Sequence, residues 1–206
     1  MSAPILELDP VHPQPRHIAR AVKVLEDGGL VAYPTDTYYA IGCDLFSKRA
    51  IDRLYQVKNR DRKKPLALLC SDLSDVAKYG HVSNFAYRTM RKLTPGPFTF
   101  VLEATRLVPE MMMSKQKQVG IRVPDAAIAH ALAEGLGHPL VTTSATHDEG
   151  EELEGEPLVD ARDIKESLGN RLELILDAGT QTLAASTVVS LINDQIEVLR
   201  QGKGQV

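Results

Sequence analysis

The feature that most limits the fold of this chain is a series of apolar runs, each four or five residues long. Proline or hydroxyl residues cut them off. Leu30-Val31-Ala32-Tyr33 runs into Pro34, Leu66-Ala67-Leu68-Leu69-Cys70 into Ser71, Val119–Val123 into Pro124, and Pro139–Thr143 into Ser144. Phe98–Leu102 adds aromatic and β-branched content. Runs this short fit strands covered on both faces, although periodicity alone also admits a buried helical turn at Leu66–Cys70. A short strand fits around Gly42-Cys43, and Leu172–Leu176, Thr187–Ile192 and Ile196–Leu199 read as the last three.

Between the runs lie segments with helical spacing. The first starts at Arg16, carries Ile18, Ala21, Val22 and Leu25 inward, and ends at Gly28-Gly29. Ser47 is placed to cap a second helix with Ile51, Leu54 and Tyr55 inside. Asp72 or Ser74 caps a brief third. A fourth starts at Ser83 with Phe85, Ala86, Met90 and Leu93 inward, and Asp125 opens a fifth through Ala129, Leu132 and Leu136. Arg162–Leu168 is a last short one. Met111-Met112-Met113 reads as core and turn packing, because consecutive side chains cannot all face one ligand.

That makes about eight strands among roughly six helices, with little helix between the last three strands. The pattern predicts one α/β (α+β mixed) domain with a mixed parallel/antiparallel sheet. Residues 1–13, rich in proline, read as an extended lead-in rather than an element, 14–202 as the domain, and 203–206 as a C-terminal tail.

At 206 residues the chain is long enough for one good-sized domain. It contains no apolar window long enough to span a membrane. Its first residues, Met1-Ser2-Ala3-Pro4 leading to Glu7 and Asp9, do not read as a signal peptide. Cys43 and Cys70 have no ligand-spaced partners and read as buried free thiols, so the expected location is cytoplasmic. The net charge of −3 hides an asymmetry: eight Lys or Arg and two acids between Lys48 and Lys64, against six acids and no base between Asp148 and Glu156. This fits either a positive wall on a mildly acidic protein or two solvated faces.

Several chemistries find no motif. There is no Gly-Lys-Ser/Thr phosphate loop, and Gly28-Gly29 precedes a strand where a dinucleotide fingerprint would follow one. There is no His-Glu-x-x-His, the six histidines are scattered, and Ser144 lacks a Gly-x-Ser-x-Gly elbow. What remains is positioning. Strand ends deliver hydroxyls at Thr35 and Thr37, at Ser144 and Thr146, and at Ser186 and Thr187, while Lys58, Arg60, Arg122 and Arg200 deliver cations. Hydroxyls with fixed guanidiniums suit a triphosphate and a carboxylate and stabilise charge without a covalent step. An arginine inside the apolar Ile121-Arg122-Val123 run needs an anion to justify its burial.

Six motifs follow one another in the chain: Pro34-Thr35-Asp36-Thr37-x-Tyr39-x-Ile41-Gly42, Lys58-x-Arg60 with Lys64-Pro65-Leu66, Thr94-Pro95-Gly96-Pro97-Phe98-Thr99, Ile121-Arg122-Val123-Pro124, Thr143-Ser144-Ala145-Thr146, and Ser186-Thr187-Val188-Val189. In that order they resemble the YrdC/YciO family, whose best-known members are threonylcarbamoyl-adenylate synthases. The resemblance implies a twisted YrdC/RibB-like domain with helices flanking the sheet and a concave, positively charged cleft. It also implies nucleotidyl transfer, in which L-threonine, bicarbonate and magnesium-bearing ATP give threonylcarbamoyl-AMP and pyrophosphate, on the way to a modified adenosine in tRNA.

By the same resemblance Lys58 and Arg60 hold phosphates and the bicarbonate-derived carboxylate, and Thr35 and Arg122 hold threonine. Ser144, Ser186 and Arg200 line the nucleotide, with Thr37, Thr146 and Thr187 nearby, and no residue is expected to bind a metal. The chain departs from the synthase pattern at Thr146, where those enzymes carry asparagine, and at Ser190, where the family usually carries aspartate. These departures look more like the YciO branch. A second reading, favoured by Lys48–Lys64, is a double-stranded RNA or tRNA binder without turnover.

Overall fold

The computed structural model describes residues 2–59, 66–147 and 155–206. Within them the apolar runs become strands of a single sheet. They are β1 (Ile5–Glu7), β2 (Val31–Tyr33), β3 (Ala40–Asp44), β4 (Ala67–Leu69), β5 (Phe98–Glu103), β6 (Gln118–Arg122), β7 (Leu140–Ser144), β8 (Leu174–Asp177), β9 (Thr187–Ser190) and β10 (Glu197–Arg200). Their spatial order is β1-β8-β2-β3-β7-β4-β6-β5-β9-β10. Four pairs are parallel (β1/β8, β2/β8, β4/β6, β5/β9) and five antiparallel, so the sheet is mixed as expected.

Six α-helices are described: α1 (Pro15–Glu26), α2 (Lys48–Val57), α3 (Leu73–Tyr79), α4 (Asn84–Leu93), α5 (Ala127–Leu136) and α6 (Ala161–Leu168). Ser47, Asp72 and Ser83 each accept a backbone N–H at the start of α2, α3 and α4, as their sequence positions predict. Side chains alternate across a strand, and the two faces are covered differently. On one face, Ala32, Ile41, Leu68, Phe100, Ile121, Val141, Ile175 and Val189 pack with Ile51, Leu54, Val76, Met90 and Ile164 from α2, α3, α4 and α6. On the other, Val31, Tyr33, Leu140, Leu174 and Leu176 pack with Ile18, Leu25, Ile128 and Leu132 from α1 and α5. That second layer sits over β8, β2, β3 and β7. Beyond it on that face, β4, β6, β5, β9 and β10 form the floor of a cavity together with the end of β7.

Three local readings are corrected. The lead-in holds a strand, β1, which pairs in parallel with β8; three residues between prolines gave too little pattern to reveal it. Phe85 is more than a third exposed, because the buried face of α4 is set by Ala86 and Met90. Asp125 does not cap α5, whose N-cap is Ala126 without a side-chain bond; the Asp125 N–H is instead donated to Asp36. Beyond β10, Gly204 is buried against Phe98.

Candidate functional site

The cavity has a volume of about 360 Å³, within the range of small-molecule sites. Register builds its floor: Thr142 stands opposite Ala67, Ala67 opposite Gly120, and Gly120 opposite Val101. A Cβ at Gly120 would sit 3.3 Å from Thr99 Cγ2, so the missing side chain keeps the floor low. Val101, Val188 and Leu199 make one end apolar, while Arg122, Thr142, Ser144 and Thr146 make the other polar. Among the described residues, no carboxylate lines the cavity and two guanidiniums, those of Arg122 and Arg200, do.

Arg122 is the best-anchored group. It ends β6 nearly buried, and its Nη2 donates to Asp36 Oδ1 at 2.8 Å and to Thr37 Oγ1 at 3.3 Å. Asp36 is held in turn by the Asp125 N–H, 3.0 Å from Oδ2. The turn after β2 supplies both acceptors. Pro34 forces an extended exit there, and the Thr35 hydroxyl donates to Tyr38 O at 2.7 Å. With its one proton used, Thr35 Oγ1 accepts from the Thr37 hydroxyl at 2.9 Å and from the Thr37 N–H at 3.1 Å. Thr37 Oγ1 is then left to accept from Arg122. The two threonine hydroxyls thus form a directed chain that orients the guanidinium. Arg122 Nε is buried without a hydrogen-bond partner. A charged donor left unsatisfied beside a cavity that no described carboxylate lines is suited to a carboxylate or phosphate oxygen.

Lys58 occupies the C-cap of α2 at 1% exposure and stands behind the cavity wall. Its Nζ donates to Thr146 O at 2.9 Å and to the Thr146 hydroxyl oxygen. Because that oxygen accepts from an ammonium, the Thr146 proton is available for donation elsewhere, and Thr146 lines the cavity. Arg60 lies outside the described residues, as do Asp61 to Pro65 and most of the acidic stretch after His147.

Ser144 lines the cavity at the end of β7 and makes no side-chain hydrogen bond among the described residues. Beside it Thr142 shares a 2.8 Å bond with the Tyr33 phenol, whose pKa burial pushes up so that it stays neutral. At the far end Ser186 Oγ shares a 2.9 Å bond with Thr99 Oγ1, and Arg200 Nη2 donates to Ser186 O at 3.0 Å. Thr187 is turned away: its hydroxyl donates to Gly204 O at 2.7 Å and accepts the Gly202 N–H.

The structure therefore gathers Arg122, Ser144, Thr146, Ser186 and Arg200 at one cavity and sets Thr35, Thr37, Lys58 and Thr187 as supports around it. Sequence reasoning assigned no role to Asp36, Thr99 or Gly120. Thr99 and Gly120 do interrupt apolar strands, but only the register shows that they share a face. Tyr39, adjacent to cavity-lining Tyr38, is fully buried with its hydroxyl on Asp177 and Gly179, a packing role. Burial also raises the thiol pKa values of Cys43 and Cys70, so neither is a ready nucleophile. No cluster of metal-ligating side chains occurs among the described residues, and no helix there is long and apolar enough to cross a membrane.

A family model described as telomere recombination, and named for Sua5, YciO and YrdC, matches residues 23–202. The chain is 37% identical over 200 residues to the uncharacterized protein YciO of Escherichia coli K12, covering 97% of this chain and 95% of that one. The crystal structure of E. coli YciO superposes with a TM-score of 0.92 over 98% of this chain and 97% of that one, at 35% identity. A Bos taurus protein named threonylcarbamoyl-AMP synthase is 34% identical over 191 residues, covering 88% of this chain and 66% of that one. P. abyssi Sua5, crystallised with L-threonine, matches with a TM-score of 0.88 at 26% identity, over 97% of this chain and 58% of that one. Together with the mixed sheet and the cavity on its open face, these matches establish that the chain belongs to the Sua5/YciO/YrdC family.

Proposed function

We propose that the cavity binds L-threonine and magnesium-bearing ATP and joins them with bicarbonate into threonylcarbamoyl-AMP, releasing pyrophosphate. The observation that carries this reading is the buried, partnerless Nε of Arg122 in a cavity lined by no described carboxylate. It is supported by the relative named threonylcarbamoyl-AMP synthase and by the threonine complex of P. abyssi Sua5.

In this reading Arg122 takes the threonine carboxylate, held in place by Asp36 and the Thr37–Thr35 chain. The threonine amine adds to bicarbonate with loss of water, giving a carbamate. A carbamate oxygen then bonds to the α-phosphorus as the bond from that phosphorus to pyrophosphate breaks. Thr146 and Ser144 donate to oxygens of the reacting groups, and the Lys58 ammonium behind Thr146 strengthens that donation. The nucleoside lies toward the apolar end, between Val101, Val188 and Leu199, with Ser186 and Arg200 at its polar edge. Magnesium enters on the triphosphate and offsets its charge. Arg60 has a proposed role on the phosphates from the sequence alone.

The RNA-binding reading gains less. Of the basic segment, Lys58 is buried and Arg53 is paired with Glu173 at 2.8 Å, which removes two cations from a phosphate-contacting face. Calorimetric titration with L-threonine tests the preferred reading. Binding that Arg122→Gln weakens at least about tenfold is expected, as for a charge-assisted pair lost from a desolvated site. Equal affinity in the two proteins would remove Arg122 from the threonine site.

A further inference from the structure

The C-terminal tail runs from β10 back to the turn that orients Arg122. Gly202 donates its N–H to Thr187 Oγ1 at 3.0 Å, Lys203 donates its N–H to Ala185 O at 2.8 Å, and Gly204 O accepts from both Thr187 Oγ1 and Gln201 Nε2 at 2.7 Å. Gly204 is buried on Phe98, where a Cβ would collide with the ring. From this anchored segment the Lys203 side chain reaches Asp36, and its Nζ donates to the Asp36 carbonyl at 2.6 Å. Asp36 is therefore gripped from three sides: its carboxylate by Arg122 and by the Asp125 N–H, its carbonyl by Lys203.

We propose that Lys203 is a positioning residue of the site: acting from the anchored tail through Asp36, it fixes the Arg122 guanidinium so that its free Nε edge keeps one orientation. The turn between Pro34 and Tyr38 is also tied by the Asp125 N–H on Asp36 Oδ2 and by the Thr182 hydroxyl on the Thr37 carbonyl. Among the described residues, however, Lys203 alone holds the Asp36 carbonyl, so its loss frees the Asp36 backbone and, with it, the carboxylate on Arg122. The segment after β10 is tied down by buried Thr187 and by Gly204, where a Cβ would collide with the Phe98 ring. The consequence for substrate binding rests on the reading given above, but the geometry does not.

Nuclear magnetic resonance of the ligand-free protein reads Arg122 directly. Its Nε–Hε signal is identified by its loss in Arg122→Lys. In Lys203→Met that proton should exchange roughly three- to tenfold faster, the range spanned by one charge-assisted hydrogen bond at a partly solvated site. Sheet amides should be unchanged, and Lys203→Arg should restore slow exchange. Gly204→Val, which lifts the tail from Phe98, should act in the same direction. An unchanged Arg122 signal in folded Lys203→Met would overturn the proposal even if Gly204→Val failed to fold. A titration with L-threonine separates the two claims: if the wild-type protein binds none, the substrate reading falls, while the Nε–Hε comparison still decides the role of Lys203.

Discussion

Replacing Asp36, the buried counter-charge of cavity-lining Arg122, by alanine should cost a large part of the stability. The Asp36 and Arg122 side chains are 7% and 10% exposed, and their closest approach is 2.8 Å. Removing the carboxylate leaves a guanidinium buried without its counter-charge, a change that typically costs 3–5 kcal/mol. The Asp125 N–H also loses its acceptor. Water can enter the neighbouring cavity and solvate part of the exposed charge, so the low end, about 3 kcal/mol, is expected. With a urea dependence of about 2 kcal/mol per molar, the unfolding midpoint should fall by about 1.5 M. Arg122→Met in the Asp36→Ala background should recover most of that loss, because the uncompensated charge is then gone. A loss below about 0.5 kcal/mol in Asp36→Ala, as for an exposed pair, would refute the argument, as would a double variant as unstable as the sum of the two.

Other outcomes follow from the same geometry. Gly120→Val, whose Cβ would stand 3.3 Å from Thr99 Cγ2, should cost about 1–3 kcal/mol through crowding and, by raising the cavity floor, weaken magnesium–ATP binding at least about tenfold by calorimetry. Thr146→Val removes one acceptor of the buried Lys58 ammonium and should lower the melting temperature by about 3–6 °C, from a loss of about 1–2 kcal/mol. Cys43 and Cys70 should resist iodoacetamide in the native protein and react after unfolding, because burial raises both thiol pKa values. The same burial sets an alkaline limit. Tyr33, Tyr39, Cys43 and Cys70 all have raised native pKa values, so the stability each adds is complete below its ordinary value, 9.0 for the thiols and 10.0 for the phenols. That stability is lost as the pH climbs from there toward the raised value, at up to about 1.4 kcal/mol per pH unit for each group. Urea midpoints should be flat between about pH 7 and 8 and fall above about pH 9; a midpoint that rises there would contradict the assignment.

How much of this the sequence disclosed depends on range. Strands such as Phe98–Glu103 and caps such as Ser47 and Ser83 were legible because propensity and capping act within a few residues. Arg122 stood out because a guanidinium inside an apolar run demands a partner. Its partner did not: Asp36 lies 86 residues earlier, and only the pairing of β3 with β7, β7 with β4 and β4 with β6 brings the two together. Thr35 and Thr187 have the composition of ligand-binding residues, but their hydroxyl protons are used on Tyr38 O and Gly204 O, a distinction that needs coordinates. Lys58 was assigned to phosphates, whereas its ammonium is buried on Thr146, a contact spanning 88 residues.

Pyrophosphate release by the purified protein tests the functional account most directly, measured with magnesium–ATP in the presence and absence of L-threonine and bicarbonate, beside an Arg122→Gln control. The account predicts release only when all three substrates are present, and loss of it in the control. Release that ignores threonine, or none from folded protein that binds both threonine and ATP, would contradict it.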